Sequence, residues 1–277
     1  MASITTGVAE TILDGIVRLT APNPSVMTGP GTNGYLVGTD ELILVDPGPD
    51  IASHADALAR AAGGRLKWIV TTHTHQDHSP ASRTVRAATG AQLAGMAAPP
   101  AGRQDSDFAP DRVLRHGDTV SVKGVTLRAI HTPGHASNHL CYLLEGRRVM
   151  FTGDHVMQGS TVVISPPDGN MKTYLKSLES LLAYDLEYFA PGHGTLISSP
   201  HDEVRRLVAH RLKREAKVVA GFNVKNPATI RELVTAVYDD VPPALHPVAE
   251  RSLHAHLLKL VEDGRVETSG DTWRLVR

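Results

Sequence analysis

Thr72-His73-Thr74-His75-Gln76-Asp77-His78 follows directly on the apolar run Trp68-Ile69-Val70-Thr71, and its reading decides the fold. Four potential metal ligands stand at the mouth of a strand, where they cannot all enter a core without desolvation penalties that a cation would remove. On an extended or tightly turned backbone His73 and His75 can face one ion; Asp77 and His78, on the next turn, can face a second. One cluster rarely completes a metal site, and three further candidates each follow an apolar run beside glycine. They are His135 in Thr132-Pro-Gly-His135, Asp154 in Phe151-Thr-Gly-Asp154 and His193 in Ala190-Pro-Gly-His-Gly194. Glycine beside a ligand permits unusual backbone angles and close approach to an ion.

Around these motifs, short apolar runs alternate with turns rich in Gly, Pro, Asn and Asp. Strands are expected over residues 15–19, 35–37, 41–45, 68–70, 125–130, 140–144 and 149–151. Apolar residues three and four apart predict helices over 51–62, 79–89 and 171–183. Strands with interspersed helices imply a layered sheet protein covered by helices. Near residue 200 the character changes. His201 to Phe222 reads as an amphipathic helix; Asn226-Pro227 supplies a cap and an N1 proline for a second helix through Tyr238. A third runs from Pro247 to Asp263, with Leu253, Leu257, Leu258 and Val261 on one face and Gly264 at its end. Residues 265–276 read as a hairpin. The expected division is therefore 1–200, a catalytic domain, and 201–277, a winged-helix domain.

The 277-residue chain has a formal net charge of −1, which offers no long-range pull toward nucleic acid or anionic lipid. No apolar run approaches the ~18 residues of a membrane span, and the first twenty residues lack a secretory pattern. A cytoplasmic protein without membrane contact is expected. The single cysteine, Cys141, excludes an internal disulfide framework and a thiolate-rich zinc site, and its apolar surroundings mark it as a core residue. Histidine is the unusual component, with 15 copies.

The order His-x-His-x-Asp-His, Gly-His, Asp, Gly-His resembles the metallo-β-lactamase superfamily of zinc-dependent hydrolases over residues 10–200. The resemblance implies an α/β fold, a four-layer αβ/βα sandwich with metals at one edge, here followed by the small winged-helix domain. It implies that His73, His75 and His135 hold one Zn2+, that Asp77, His78 and His193 hold a second, and that Asp154 bridges the two. Asp46, in Leu44-Val-Asp-Pro-Gly48, matches a further family element and is expected to accept a hydrogen bond from a ligand and fix its orientation. Two ions about 3.5–4 Å apart share a water whose pKa falls toward ~7, and the resulting hydroxide attacks an acyl carbon or a phosphorus. Asp77 and Asp154 are the candidate proton acceptors. His139, four residues after His135, and His155, beside Asp154, are candidate substrate contacts; His131 reads as structural.

Asn23-Pro-Ser-Val-Met27, Gly31-Thr-Asn-Gly-Tyr-Leu-Val37 and the tail His254-Ala-His-Leu-Leu-Lys-Leu-Val-Glu-Asp-Gly264 look like the branch called lactamase-beta-like protein 2, endoribonucleases whose relatives include polyketide-releasing thioesterases. The expected substrate is thus single-stranded RNA or an ester or thioester, with glyoxalase II-like hydrolysis as a further alternative. The tail from His201 carries 13 Lys/Arg against 11 Asp/Glu, and its third helix is partly acidic, which disfavours duplex DNA. Arg206, His210, Lys213 and Lys217 form a stripe on the first tail helix that could meet phosphates, making His210 a candidate substrate contact. The tail is expected to close over the site or to form a homodimer. A metal-free winged-helix regulator is the reading from another class.

Overall fold

The computed structural model describes residues 4–276. Its first sheet has seven strands in chain order: β1 (Ala9–Leu13), β2 (Ile16–Thr20), β3 (Asn33–Gly38), β4 (Leu42–Val45), β5 (Leu66–Val70), β6 (Gln92–Gly95) and β7 (Arg112–Val113). The first four pair antiparallel and the remainder parallel. The change of sense comes where crossover helices enter: α1 (Ala52–Ala62) between β4 and β5, and α2 (Ala81–Thr89) between β5 and β6. The second sheet, in spatial order β12-β11-β10-β9-β8, comprises β8 (Thr119–Val122), β9 (Val125–His131), β10 (Leu140–Leu144), β11 (Val149–Gly153) and β12 (Tyr188–Pro191). Between the parallel strands β11 and β12 runs α3 (Met171–Ser180).

Strand alternation sorts the side chains into layers. Tyr35, Val37, Ile43 and Val45 meet Leu127, Leu140, Tyr142 and Phe151 between the two sheets. Leu36, Leu42 and Leu44 point the other way, onto Ala55, Leu58 and Ala62 of α1. Cys141 and Met150 face α3 through Tyr174, Leu175 and Leu178. The result is helix, sheet, sheet, helix, and Cys141 is an inert core thiol that burial pushes up to about 12.

The tail is built from α4 (Pro200–Gly221), β13 (Ala228–Thr229), α5 (Ile230–Val237), α6 (His246–Glu262), β14 (Val266–Ser269) and β15 (Thr272–Leu275), with sheet order β13-β15-β14. The second tail helix does not start at Asn226-Pro227. Ala228–Thr229 pair instead with Trp273 and Thr272 of β15, and the Asn226 Oδ1 accepts from the Leu275 N–H at 3.1 Å. Thr229 is the cap: its Oγ1 accepts from the Glu232 N–H, while the Glu232 carboxylate accepts from the Thr229 N–H. Such a reciprocal capping box satisfies two backbone donors at once.

One helix serves both cores. Val204 and Leu207 of α4 pack with α3, whereas Val218 and Phe222 pack with Leu233, Leu253 and Leu257 of the tail. Lys172 reaches Asp263 at 2.8 Å and Asn170 reaches Glu262 at 3.1 Å, so α6 lies against the start of α3. Among the described residues, no helix is long and apolar enough to cross a membrane.

Candidate metal centre

Every residue of the predicted ligand set lies just beyond the C-terminal end of a strand, at the edge where both sheets open. Residues 72–78 follow β5, His135 follows β9, Asp154 follows β11 and His193 follows β12. The loop that carries His193 is tied across the sheets: the Asn33 amide donates to the carbonyls of Pro191 and Gly194, and the Tyr35 hydroxyl donates to Pro191 at 2.7 Å. Gly192 in this loop stands where a Cβ would lie 2.7 Å from His78 and 2.8 Å from Asp154, so only glycine fits.

The ligand atoms fall into two groups. His73 Nε2 lies 2.9 Å from His75 Nδ1, which lies 3.0 Å from His135 Nε2. In the second group, Asp154 Oδ1 stands 3.3 Å from His78 Nε2 and 3.2 Å from His193 Nε2, and Asp77 Oδ2 is 3.4 Å from His193 Nε2. Within each group the donor atoms lie within 4.8 Å of one another. The Asp154 Oδ2 turns toward the first group, 3.6 Å from His135 Nε2, so this one carboxylate addresses both.

The remote ring nitrogens are held by the scaffold. Thr72 Oγ1 lies 3.0 Å from His73 Nδ1, the Val163 carbonyl accepts from His135 Nδ1 at 2.9 Å and the Gly31 carbonyl from His193 Nδ1 at 3.2 Å. Asp46 accepts three hydrogen bonds: from the Thr72 N–H at 2.7 Å, from Thr72 Oγ1 at 2.8 Å and from His78 Nδ1 at 2.9 Å. It does so from a left-handed backbone, φ 51°, unusual for a residue with a side chain. These bonds fix the orientation of the His73, His78, His135 and His193 rings and turn the other nitrogen of each toward the site. Asp46→Asn, which puts an amide N–H or a weaker acceptor opposite His78, is expected to lower metal affinity about 10–100-fold with the fold intact. Competition against a chromogenic chelator measures it, and wild-type affinity in the variant would remove this role from Asp46.

Divalent cations fit these residues. Burial, with repulsion from His78 and its neighbours, keeps His73 well below the usual histidine range, and burial beside His135 brings His75 to about 3. Both are therefore neutral and have lone pairs to give. His78 and His193 are also buried, yet Asp154 and its companion carboxylates hold them protonated, His193 up to about 10. Protons here balance carboxylates that an ion would otherwise balance, and metal binding would expel them. His78 Nε2 and Asp154 Oδ1 are buried with no hydrogen-bond partner. Imidazole and carboxylate donors with no sulfur suit a divalent first-row ion such as zinc or iron.

His75 and His135 of the first group and Asp77, Asp154 and His193 of the second form the floor of a cleft of about 700 Å3, with His73 and His78 buried beneath. Met27, Met157, Val162, Val163, Pro166 and Val248 give it an apolar wall, and Arg103 and Arg251 bring cations to its mouth. Val248 and Arg251 belong to α6, so the tail supplies one side of the cleft. Neither arginine nor the Val163 carbonyl stands out in the sequence, because nothing local marks which loop will fold over the strand ends. His139 and His155 do not reach the cleft. Both are fully buried behind the ligands, His139 with its ring centroid 5.1 Å from that of His73 and His155 between His139 and Tyr174. Burial keeps both neutral, His155 at about 3. His210 is half-buried on α4 and stays neutral at about 4 through burial and the neighbouring arginines. Its stripe is not a free cationic face: Arg206 pairs with Glu203, and Lys217 with Asp239 and Asp240.

The family described as the metallo-beta-lactamase superfamily matches residues 27–193, and that described as the beta-lactamase associated winged helix domain matches residues 229–273. The beta-lactamase-like protein 2 homolog of Caenorhabditis elegans is 30% identical over 266 residues, spanning 93% of this chain and 88% of the relative. An atrochrysone carboxyl ACP thioesterase of Cryptosporiopsis sp. is 27% identical over 283 residues, spanning 93% and 83%. The crystal structure of a metallo-beta-lactamase family protein from Thermus thermophilus superposes with a TM-score of 0.80 at 23% identity, over 96% of this chain and all of that one. The last likeness bears on fold alone.

Proposed function

The chain belongs to the metallo-beta-lactamase superfamily, and from that premise we propose that it hydrolyses acyl thioesters at a dinuclear zinc centre. The observation that carries the choice of substrate is the cleft. Its polar floor opens on to a wall of methionine, valine and proline suited to an acyl chain, and among the described residues no Phe, Tyr or Trp lines it to stack a nucleobase. The thioesterase among the relatives supports the same reading.

Zinc held at these residues would supply Lewis acidity and would bring the pKa of a water toward ~7. His73, His75 and His135 would hold one ion, Asp77, His78 and His193 the other, with Asp154 spanning the pair. Asp77, its side chain 30% exposed against 10% for Asp154, is the carboxylate with room to accept a proton from the attacking water. No lysine or tyrosine lines the cleft among the described residues. A thiolate leaving group, with a thiol pKa of about 8.5, needs little acid assistance, whereas the alkoxide released from a phosphodiester needs more. The wall from Met157 to Pro166 and from Val248 excludes water from the acyl side.

The test is metal content of the purified protein together with turnover of a medium-chain acyl-coenzyme A and a short unstructured RNA, before and after chelation. About two zinc ions per chain, with thioester cleavage lost on chelation and restored by zinc, is the expected result. RNA cleavage without thioester cleavage would transfer the reading to phosphodiesters. A single iron, or no metal and no turnover, would overturn it.

A further inference from the structure

A second cavity, of about 680 Å3, lies between the loop carrying Ser165 and Pro166 and the winged-helix tail. Ser165, Pro166 and Arg251 line both this groove and the catalytic cleft, so the two adjoin at these residues, and the groove reaches from there to the β14–β15 hairpin. Arg231, at the start of α5, and Trp273, on β15, line its far part. His254 packs edge-on against Trp273, with ring centroids 5.6 Å apart. Arg231 and Arg251 are exposed, and among the described residues neither forms an ion pair or a side-chain hydrogen bond. Glu250 and Asp271 also border the groove. Two arginines free of carboxylate partners in a concave site offer the planar, paired donors that suit a phosphate.

A thioester extends both ways from its reacting carbon. The apolar wall of the cleft accounts for the acyl side and leaves the thiol side to the adjoining depression. We propose that the groove holds the carrier arm of the substrate, a phosphopantetheine whose sulfur lies over the metal floor, whose amide chain crosses Pro166 and whose phosphate sits on Arg251 and Arg231. This rests on the thioester reading above. In the reaction the carbonyl carbon gains oxygen from water and the C–S bond breaks. The C–S electron pair stays on sulfur; of the water's two protons one ends on that thiolate and the other passes to solvent, so the acid leaves as a carboxylate and the thiol departs with the arm. Coenzyme A and a carrier protein present the same arm.

Two measurements test it. In the first, the KM for an acyl-4′-phosphopantetheine is compared with that for the acyl-pantetheine lacking the phosphate. The phosphorylated thioester is expected to have about tenfold lower KM in the wild type, and the ratio to fall toward one in Arg231→Gln and in Arg251→Gln. Lys213→Gln, at an exposed cation on α4 that does not line the groove, is expected to keep the wild-type ratio. No phosphate preference in the wild type would overturn the groove while leaving thioester hydrolysis standing. In the second, calorimetry with the stable thioether S-ethyl-coenzyme A reads binding without turnover. About tenfold weaker binding in Arg231→Gln supports the proposal, and equal binding overturns it. A higher kcat/KM on an acyl-carrier protein than on acyl-coenzyme A would assign the arm to the protein carrier, and the reverse to the free cofactor.

Discussion

Asp154→Ala is expected to cut turnover by at least about 1,000-fold, on the order of 4 kcal/mol of transition-state stabilisation, and to lower bound metal from two ions to one or none. The reason is position. Asp154 alone turns one oxygen to each ligand group, and a water in its place would bring no charge and no fixed span between them. With it gone, His78 keeps Asp46 and Asp77 and His193 keeps Asp77, but no carboxylate is left that addresses both groups, and Asp77 is the one carboxylate remaining in the second. The strands beneath are packed independently of it, so circular dichroism and the cooperativity of melting are expected to persist. Elemental analysis with single-turnover kinetics checks both parts, and a variant retaining two metals and wild-type turnover would defeat the bridging role.

Gly134→Ala is expected to act on the fold itself. Gly134 adopts φ +138°, and a Cβ there would lie 2.3 Å from the Tyr174 Cα and 2.5 Å from the Tyr174 N. The obstacle is the backbone of α3, which cannot rotate aside as a side chain would, and the Gly134 carbonyl also accepts from the Asn170 N–H at the same helix start. Overpacking and an unfavourable φ together cost on the order of 4 kcal/mol. For a chain of this size that corresponds to a fall in Tm of about 10 °C. His135 would move with the turn, so metal affinity is expected to fall in parallel. Differential scanning calorimetry of the metal-free and zinc-loaded protein separates the two effects. An unchanged Tm would mean that the turn and α3 are not locked together as the contact implies.

The long, buried elements are legible because burial imposes a period. β3, β4, β9 and β10 alternate between two apolar environments, and α1, α2 and α3 present apolar faces, so each lies close to its expected range. β1, β6, β7, β8 and β12 are not legible because they are short, and several are partly exposed or lie at sheet edges, so their residues carry no sustained alternation. The start of α5 differs from its expected place because Asn226-Pro227 and Thr229 with Glu232 are both good local starts. The choice falls to β15, which recruits residues 228–229 as a strand partner.

What the sequence determined by itself was the chemistry of the site: imidazoles and carboxylates, held apart by glycine at strand ends, in an order that leaves only a cation to explain them. Which atoms meet was decided by the tertiary structure. Sequence spacing cannot tell that Asp46 reaches both Thr72 and His78, that the Val163 carbonyl orients His135, or that His139 and His155 lie behind the ligands. Nor can it tell that α6, far along the chain from every ligand-bearing loop, turns Val248 and Arg251 into the cleft. These are long-range packing outcomes, set by how two sheets and a tail bury apolar faces against one another, and that burial leaves no trace in the local run of residues it brings together.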